Sequence, residues 1–135
     1  MDLSQAIVIT GGAGLVGQNL AIRLCERGFQ NITVIDKHSH NLQVLKQVLP
    51  SVDCVDSDLA IDGDWQEAVF KADVIIMLQA QIGALAEDVF IRNNITATKN
   101  VLAGLDPIRK PYLLHMSSSV VMSVADDFYT RSKKA

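Results

Sequence analysis

Cysteine, proline and aromatic residues are scarce in this chain of 135 residues, which has two cysteines, three prolines, one tryptophan and 5% aromatics. Cys25 sits in a helical pattern and Cys54 in a strand pattern. Their spacing matches no metal or CxxC motif, so both read as small buried hydrophobes rather than a redox pair. His38 and His40 form an HxH with no cysteine or acidic partner at ligand spacing, so no metal is expected and the segment reads as a polar loop. His115 alternates with apolar neighbours and reads as a strand histidine without chemistry. No apolar stretch reaches the roughly 18 residues of a membrane span, and residues 1–4 lack the basic and apolar regions of a signal peptide. A membrane partner is therefore not expected, and the chain reads as cytoplasmic. Positive charge is the minority sign, with 12 Lys and Arg against 15 Asp and Glu and a net charge of -3. Without a basic stripe there is no electrostatic case for nucleic acid, and a small-molecule partner is expected instead.

What is present is a hydrophobic content of 49%, enough for one sizeable core and a single domain over 1–135. Short β-branched runs alternate with longer helical patterns from one end to the other, which implies an α/β fold with a parallel sheet. Strands are expected near 6–10, 31–35, 52–55, 74–78 and 112–117, and helices near 14–27, 40–49, 64–71 and 86–105. The first and fourth strands are nearly continuous apolar runs, as central strands covered on both faces should be. Right-handed crossovers give a Rossmann-type doubly wound order 3-2-1-4-5, with a ligand crevice outside the carboxyl ends of strands one and four.

The first crossover carries the sharpest signal. Thr10-Gly-Gly-Ala-Gly-Leu-Val-Gly17 follows the apolar run Ala6–Ile9 and precedes the helical pattern from Gln18. Gly11 can adopt a backbone conformation that a side chain forbids, Gly14 leaves no Cβ against an approaching phosphate, and Gly17 lets the helix pack closely on the strand. The N–H groups of Gly14, Leu15, Val16 and Gly17 and the positive end of the helix dipole then face the anion. Asp36, at the end of the next strand, stands where a carboxylate reads the ribose 2′-hydroxyl of NAD and repels the 2′-phosphate of NADP. NAD is expected over NADP, although Lys37 beside it offers a charge that could pair with phosphate.

Near the end stands Tyr129-Thr-Arg-Ser-Lys133, a Tyr-x-x-x-Lys pair that a helix places one turn apart on one face. A phenol is a poor base at neutral pH, and a neighbouring ammonium favours its phenolate. Upstream, Ser117-Ser118-Ser119 closes the fifth strand where the crevice opens, and a serine hydroxyl there can bind the substrate oxygen whose proton the tyrosine moves.

These motifs together resemble the N-terminal part of an extended short-chain dehydrogenase/reductase, the group that includes NAD-dependent nucleotide-sugar epimerases and dehydratases. The resemblance rests on the TGxxGxxG form of the glycine motif, on Asp58-Leu59 after the third strand, on the segment Asp73–Gln81, on Asn94-Ile-Thr-Ala-Thr-Lys-Asn100, and on the Ser117–Val121 and Tyr129–Lys133 motifs. It implies that Asp58 and Leu59 receive the adenine, that Leu78, Gln79 and Ala80 line the cofactor, and that Asn94 contributes to its site. It also implies Ser118, Tyr129 and Lys133 as the catalytic set, with Ser119 the alternative hydroxyl, and Tyr129 and Lys133 also holding the nicotinamide ribose. Gln79 replaces a usual alanine, Ala97 a usual glycine, and Met122-Ser123 the usual Tyr-Gly. The interval from Ser118 to Tyr129 is short for a sugar-nucleotide enzyme. Family members continue past the point matching Ala135 into further strands and a C-terminal substrate domain, so the chain reads as a fragment holding the cofactor half. The implied substrate is a nucleotide sugar. A steroid or alcohol dehydrogenase, or a dinucleotide sensor without turnover, are the alternatives. A homodimer through the helix 86–105 and the helix begun at 129 is a further implication.

Overall fold

The computed structural model describes residues 2–135. Five parallel strands, β1 (Ile7–Thr10), β2 (Ile32–Asp36), β3 (Asp53–Asp56), β4 (Val74–Met77) and β5 (Tyr112–His115), form one sheet in the order β3-β2-β1-β4-β5. The expected order is thus borne out. The apolar runs act as anticipated, because alternate residues of one strand enter opposite cores. Ile7, Ile9, Val34, Val74 and Ile76 pack on one face, while Val8, Ile35, Ile75 and Met77 pack on the other.

Helices α1 (Leu15–Glu26) and α2 (Ser39–Val48) cover the first face through Ala21, Leu42 and Leu45. The second face is covered by α3 (Trp65–Lys71) and by α5 (Ala97–Ala103), with Trp65, Val69, Ala97 and Val101 buried against the sheet. Trp65 is wholly buried, and its indole N–H donates to the Ile61 carbonyl at 2.8 Å. Cys25 and Cys54 are free thiols partly buried against the first core, and burial pushes the Cys54 thiol up from its ordinary value.

Three expectations are corrected. The HxH segment is not all loop: His38 is the N-cap of α2 and His40, where the expected helix 40–49 begins, lies one residue inside it. Strand β5 stops at His115, and residues 119–122 form a 3-10 turn capped by the Ser118 hydroxyl, which accepts from the Val120 N–H. The expected helix 86–105 is not uniform. It consists of α4 (Glu87–Phe90), a π-helical turn over Ile91–Thr96, and α5. At the turn the Ala97 N–H reaches the Arg92 carbonyl, five residues back, while the Thr98 hydroxyl donates to the Asn94 carbonyl at 2.9 Å.

Helix α6 (Phe128–Lys134) starts at an Asp127 cap that accepts from the Thr130 N–H at 2.7 Å. It packs back on the α4 region, with the Phe90 and Phe128 rings 6.0 Å apart and Arg131 paired to Glu87 at 3.2 Å. No helix among the described residues is long and apolar enough to cross a membrane.

Candidate functional site

A cleft of about 360 Å³ opens at the carboxyl ends of β1, β2 and β4, the position where the strand order reverses and ligands bind in open α/β sheets. Its floor is the glycine turn. Gly11 has φ 66°, and a Cβ there would lie 2.5 Å from the Gln79 backbone; a Cβ on Gly17 would lie 2.4 Å from Gly12 Cα. Both glycines are therefore required by the protein's own packing. Gly14 differs, since a Cβ there meets only the Gly11 carbonyl at 3.7 Å. The space it leaves belongs to the cleft. Gly14 is also the N-cap of α1, where no side chain caps the helix, so its first-turn N–H groups lack intrahelical acceptors and point to an external one. This cradle fits a pyrophosphate.

Asp36 ties the turn to β2. One carboxylate oxygen accepts from the buried Ala13 N–H at 3.0 Å and the other from the His38 N–H at 3.1 Å. A carboxylate offers about four acceptor positions, so two bonds leave capacity for ribose hydroxyls. On the next loop, Asp58 accepts from the Ala60 N–H at 2.9 Å and pairs with Arg92 at 2.8 Å. Burial acts to raise the Asp58 carboxyl, but the Ala60 N–H and the Arg92 guanidinium outweigh it, and its pKa falls below the ordinary value.

Every residue of the glycine turn singled out in the sequence, together with Asp36, Lys37, Asp58, Leu59, Leu78, Gln79 and Ala80, lines this cleft. Gln79 fills the place of the usual alanine with an amide that bonds the Thr10 hydroxyl on β1 and donates to the Thr98 hydroxyl at 3.3 Å. Asn94, Ser118, Tyr129 and Lys133 do not line it. Asn94 is buried, and its amide is spent on structure: it accepts from the Gln81 N–H at 2.6 Å and donates to the Gln81 carbonyl at 3.0 Å and to Ser132 Oγ at 2.8 Å. It fastens α6 to the loop after β4. Lys133 Nζ donates to the Met116 carbonyl at 3.3 Å, which sets α6 beside the serine run at the end of β5. His115 records the same proximity, its pKa being lowered by burial and then by the Lys133 charge.

Sequence reasoning missed His38, Ser57, Gln81 and Asn93 in the cleft wall and Arg92 as the partner of Asp58. Among these, Asn93-Asn94 carried a signal, a polar doublet in a segment that otherwise reads as a helix packed on a core.

The fold and this cleft define a dinucleotide-binding α/β domain. More particularly, the chain belongs to the NAD dependent epimerase/dehydratase family, whose model matches residues 7–134. Since that family is NAD-dependent, NAD is the cofactor. The chain is similar to a sterol-4-alpha-carboxylate 3-dehydrogenase (decarboxylating) of Schizosaccharomyces pombe, 26% identical and covering 93% of this chain and 37% of that protein. It is similar also to a 2-alkyl-3-oxoalkanoate reductase of Stenotrophomonas maltophilia, 34% identical over 72% of this chain and 28% of that protein. The chain thus spans about a third of the length of these relatives. Among solved structures, UDP-glucuronic acid 4-epimerase from Bacillus cereus in complex with NAD superposes with a TM-score of 0.81 at 21% identity, over 96% of this chain and 49% of that one. That likeness shows the shared fold.

Proposed function

We propose that this chain is the NAD-binding part of an oxidoreductase that acts on a hydroxyl-bearing carbon, with Ser118, Tyr129 and Lys133 as its catalytic set. The observation that carries the reading is the Lys133 contact with Met116, which gathers the serine run and the Tyr129 helix at the sheet edge next to the cleft. NAD supplies a hydride acceptor there. Tyr129 takes the proton of the substrate hydroxyl, Lys133 holds the nicotinamide ribose, and Ser118 orients the oxygen. The Ser118 hydroxyl accepts from the Val120 N–H and keeps its own hydrogen to donate.

A nucleotide sugar is the substrate class we favour, supported by the epimerase with which the fold superposes. A sterol or a 3-oxo acid is the second reading, favoured by two relatives similar in sequence. The α4–α5 and α6 faces are the proposed homodimer contact, and the free thiols Cys25 and Cys54 suit the reducing cytoplasm. In full-length protein, Tyr129→Phe is expected to cut turnover by about 10²–10⁴-fold with NAD+ binding retained. NADH formation with a UDP-sugar panel, against a 3-hydroxysterol and a 3-hydroxy acid, separates the substrate classes. Unchanged turnover in Tyr129→Phe would remove the assigned base.

A further inference from the structure

We propose that Asn93, on the π-helical turn, is a specificity-determining residue that restrains the Lys37 ammonium and thereby keeps the cleft selective for NAD over NADP. The inference rests on the reading that the adenosine ribose lies at Asp36. Two opposite charges stand side by side there. Asp36 would repel a 2′-phosphate, whereas a lysine free to move would attract one. Sequence order cannot decide between them; the position of the ammonium does.

In the structure Lys37 Nζ donates to Asn93 Oδ1 at 2.6 Å, across the cleft from β2. The acceptor is itself held. Asn93 Nδ2 donates to Gln81 Oε1 at 3.0 Å, and the Gln81 backbone is fixed on both its N–H and its carbonyl by Asn94. Lys37 is thus tied to the end of a chain of hydrogen bonds that runs into the loop after β4. The π-helical turn also disposes of a second cation. Arg92 gives both Nε and Nη2 to Asp58 Oδ2, at 3.3 and 2.8 Å. Consecutive residues of one turn therefore commit both cations, Lys37 to an amide and Arg92 to a carboxylate. Along this π turn, with the Ala97 N–H reaching Arg92, residue 92 meets Asp58, residue 93 meets Lys37 and Gln81, and residue 94 meets Gln81 and Ser132.

The test is the dissociation constants of NAD+ and NADP+ measured by calorimetry on the full-length protein and three variants. Asn93→Ala is expected to release Lys37 and raise NADP+ affinity by roughly tenfold, the scale of one charge-assisted phosphate contact, with NAD+ affinity changed far less. Asn93→Asp keeps an acceptor for Lys37 and is expected to retain the wild-type preference, which distinguishes release of the lysine from general damage to the turn. In Lys37→Ala/Asn93→Ala the gain for NADP+ is expected to disappear. If the affinity ratio in Asn93→Ala equals that of wild type, or if the gain persists without Lys37, the proposal is overturned. Wild-type protein that binds neither dinucleotide would overturn the underlying reading of the cleft as well, whereas NAD+ binding with an unshifted ratio overturns this proposal alone.

Discussion

Gly14 and Gly17 stand three residues apart in one motif, yet the structure assigns them different duties, and substitution by alanine separates the two. A Cβ on Gly17 would lie 2.4 Å from Gly12 Cα and 2.5 Å from the Gly12 carbonyl oxygen. Both atoms are backbone, so relief requires α1 to move away from the turn. Forced insertion of a methyl into a packed site costs about 1–3 kcal/mol, and the absence of any flexible neighbour places Gly17→Ala in the upper part of that range or above. A Cβ on Gly14 meets nothing closer than 3.7 Å, and its φ of -76° and ψ of 176° suit alanine. Only the weaker N-cap preference of alanine is lost, about 1 kcal/mol or less. The new methyl, however, projects into the cleft at the turn proposed to receive the pyrophosphate. The expected pattern is therefore crossed. Urea unfolding shows a large loss of stability for Gly17→Ala and a small one for Gly14→Ala, while calorimetry shows an NAD+ affinity for Gly14→Ala weaker by at least about tenfold, or ~1.4 kcal/mol. Wild-type NAD+ affinity in a folded Gly14→Ala protein would refute the placement of the pyrophosphate on this turn.

Three further outcomes are expected. Trp65→Phe removes a fully buried indole and its bond to the Ile61 carbonyl, so the urea midpoint should fall by an amount equivalent to about 1–3 kcal/mol; an unchanged midpoint would mean that the carbonyl finds another partner. The lowered pKa of His115 means that the fold prefers its neutral form. The associated stability is present above the ordinary 6.5 and is lost as pH falls through the folded value; in an NMR titration, Lys133→Gln should move that value upward, and no movement would place Lys133 away from β5. Asp58 is likewise depressed, so its contribution is complete above the ordinary 3.8 and disappears as pH falls through the folded value. Arg92→Ala should shift acid unfolding to higher pH, by a small step because both side chains are partly exposed and such pairs are worth about 1 kcal/mol or less. An acid transition identical to that of wild type would show that Arg92 does not support Asp58.

Much of this protein was legible in the chain because its signals are local. The apolar runs 6–9 and 74–78 announce central strands, since strands covered on both faces read as nearly continuous apolar runs. The order 3-2-1-4-5 follows from the handedness of parallel crossovers. That the glycine turn and Asp36 meet at the cleft could be read from spacing, because a strand, a tight turn and a helix N-terminus fix where the N–H groups point. Ser118 shows the limit of this kind of reasoning: its place after β5 and a capping role could be foreseen, but only the structure shows its oxygen accepting from the Val120 N–H.

The rest required contacts between residues far apart in the chain. Asp58 meets Arg92 34 residues on, Lys37 meets Asn93 56 residues on, and Thr10 meets Gln79 69 residues on. Periodicity also predicts an unbroken helix across 91–96, because the choice between bonding four or five residues back is settled by outside partners: Asn94 holding Gln81 and Ser132, and Arg92 drawn to Asp58. The sequence by itself determined the layered fold and the glycine turn at the cleft, whose causes lie within a strand, a turn and a helix. Only the tertiary structure decided how the cleft's charges are paired and how α6 is fastened beside it, because those bonds form only after the sheet has brought distant segments together.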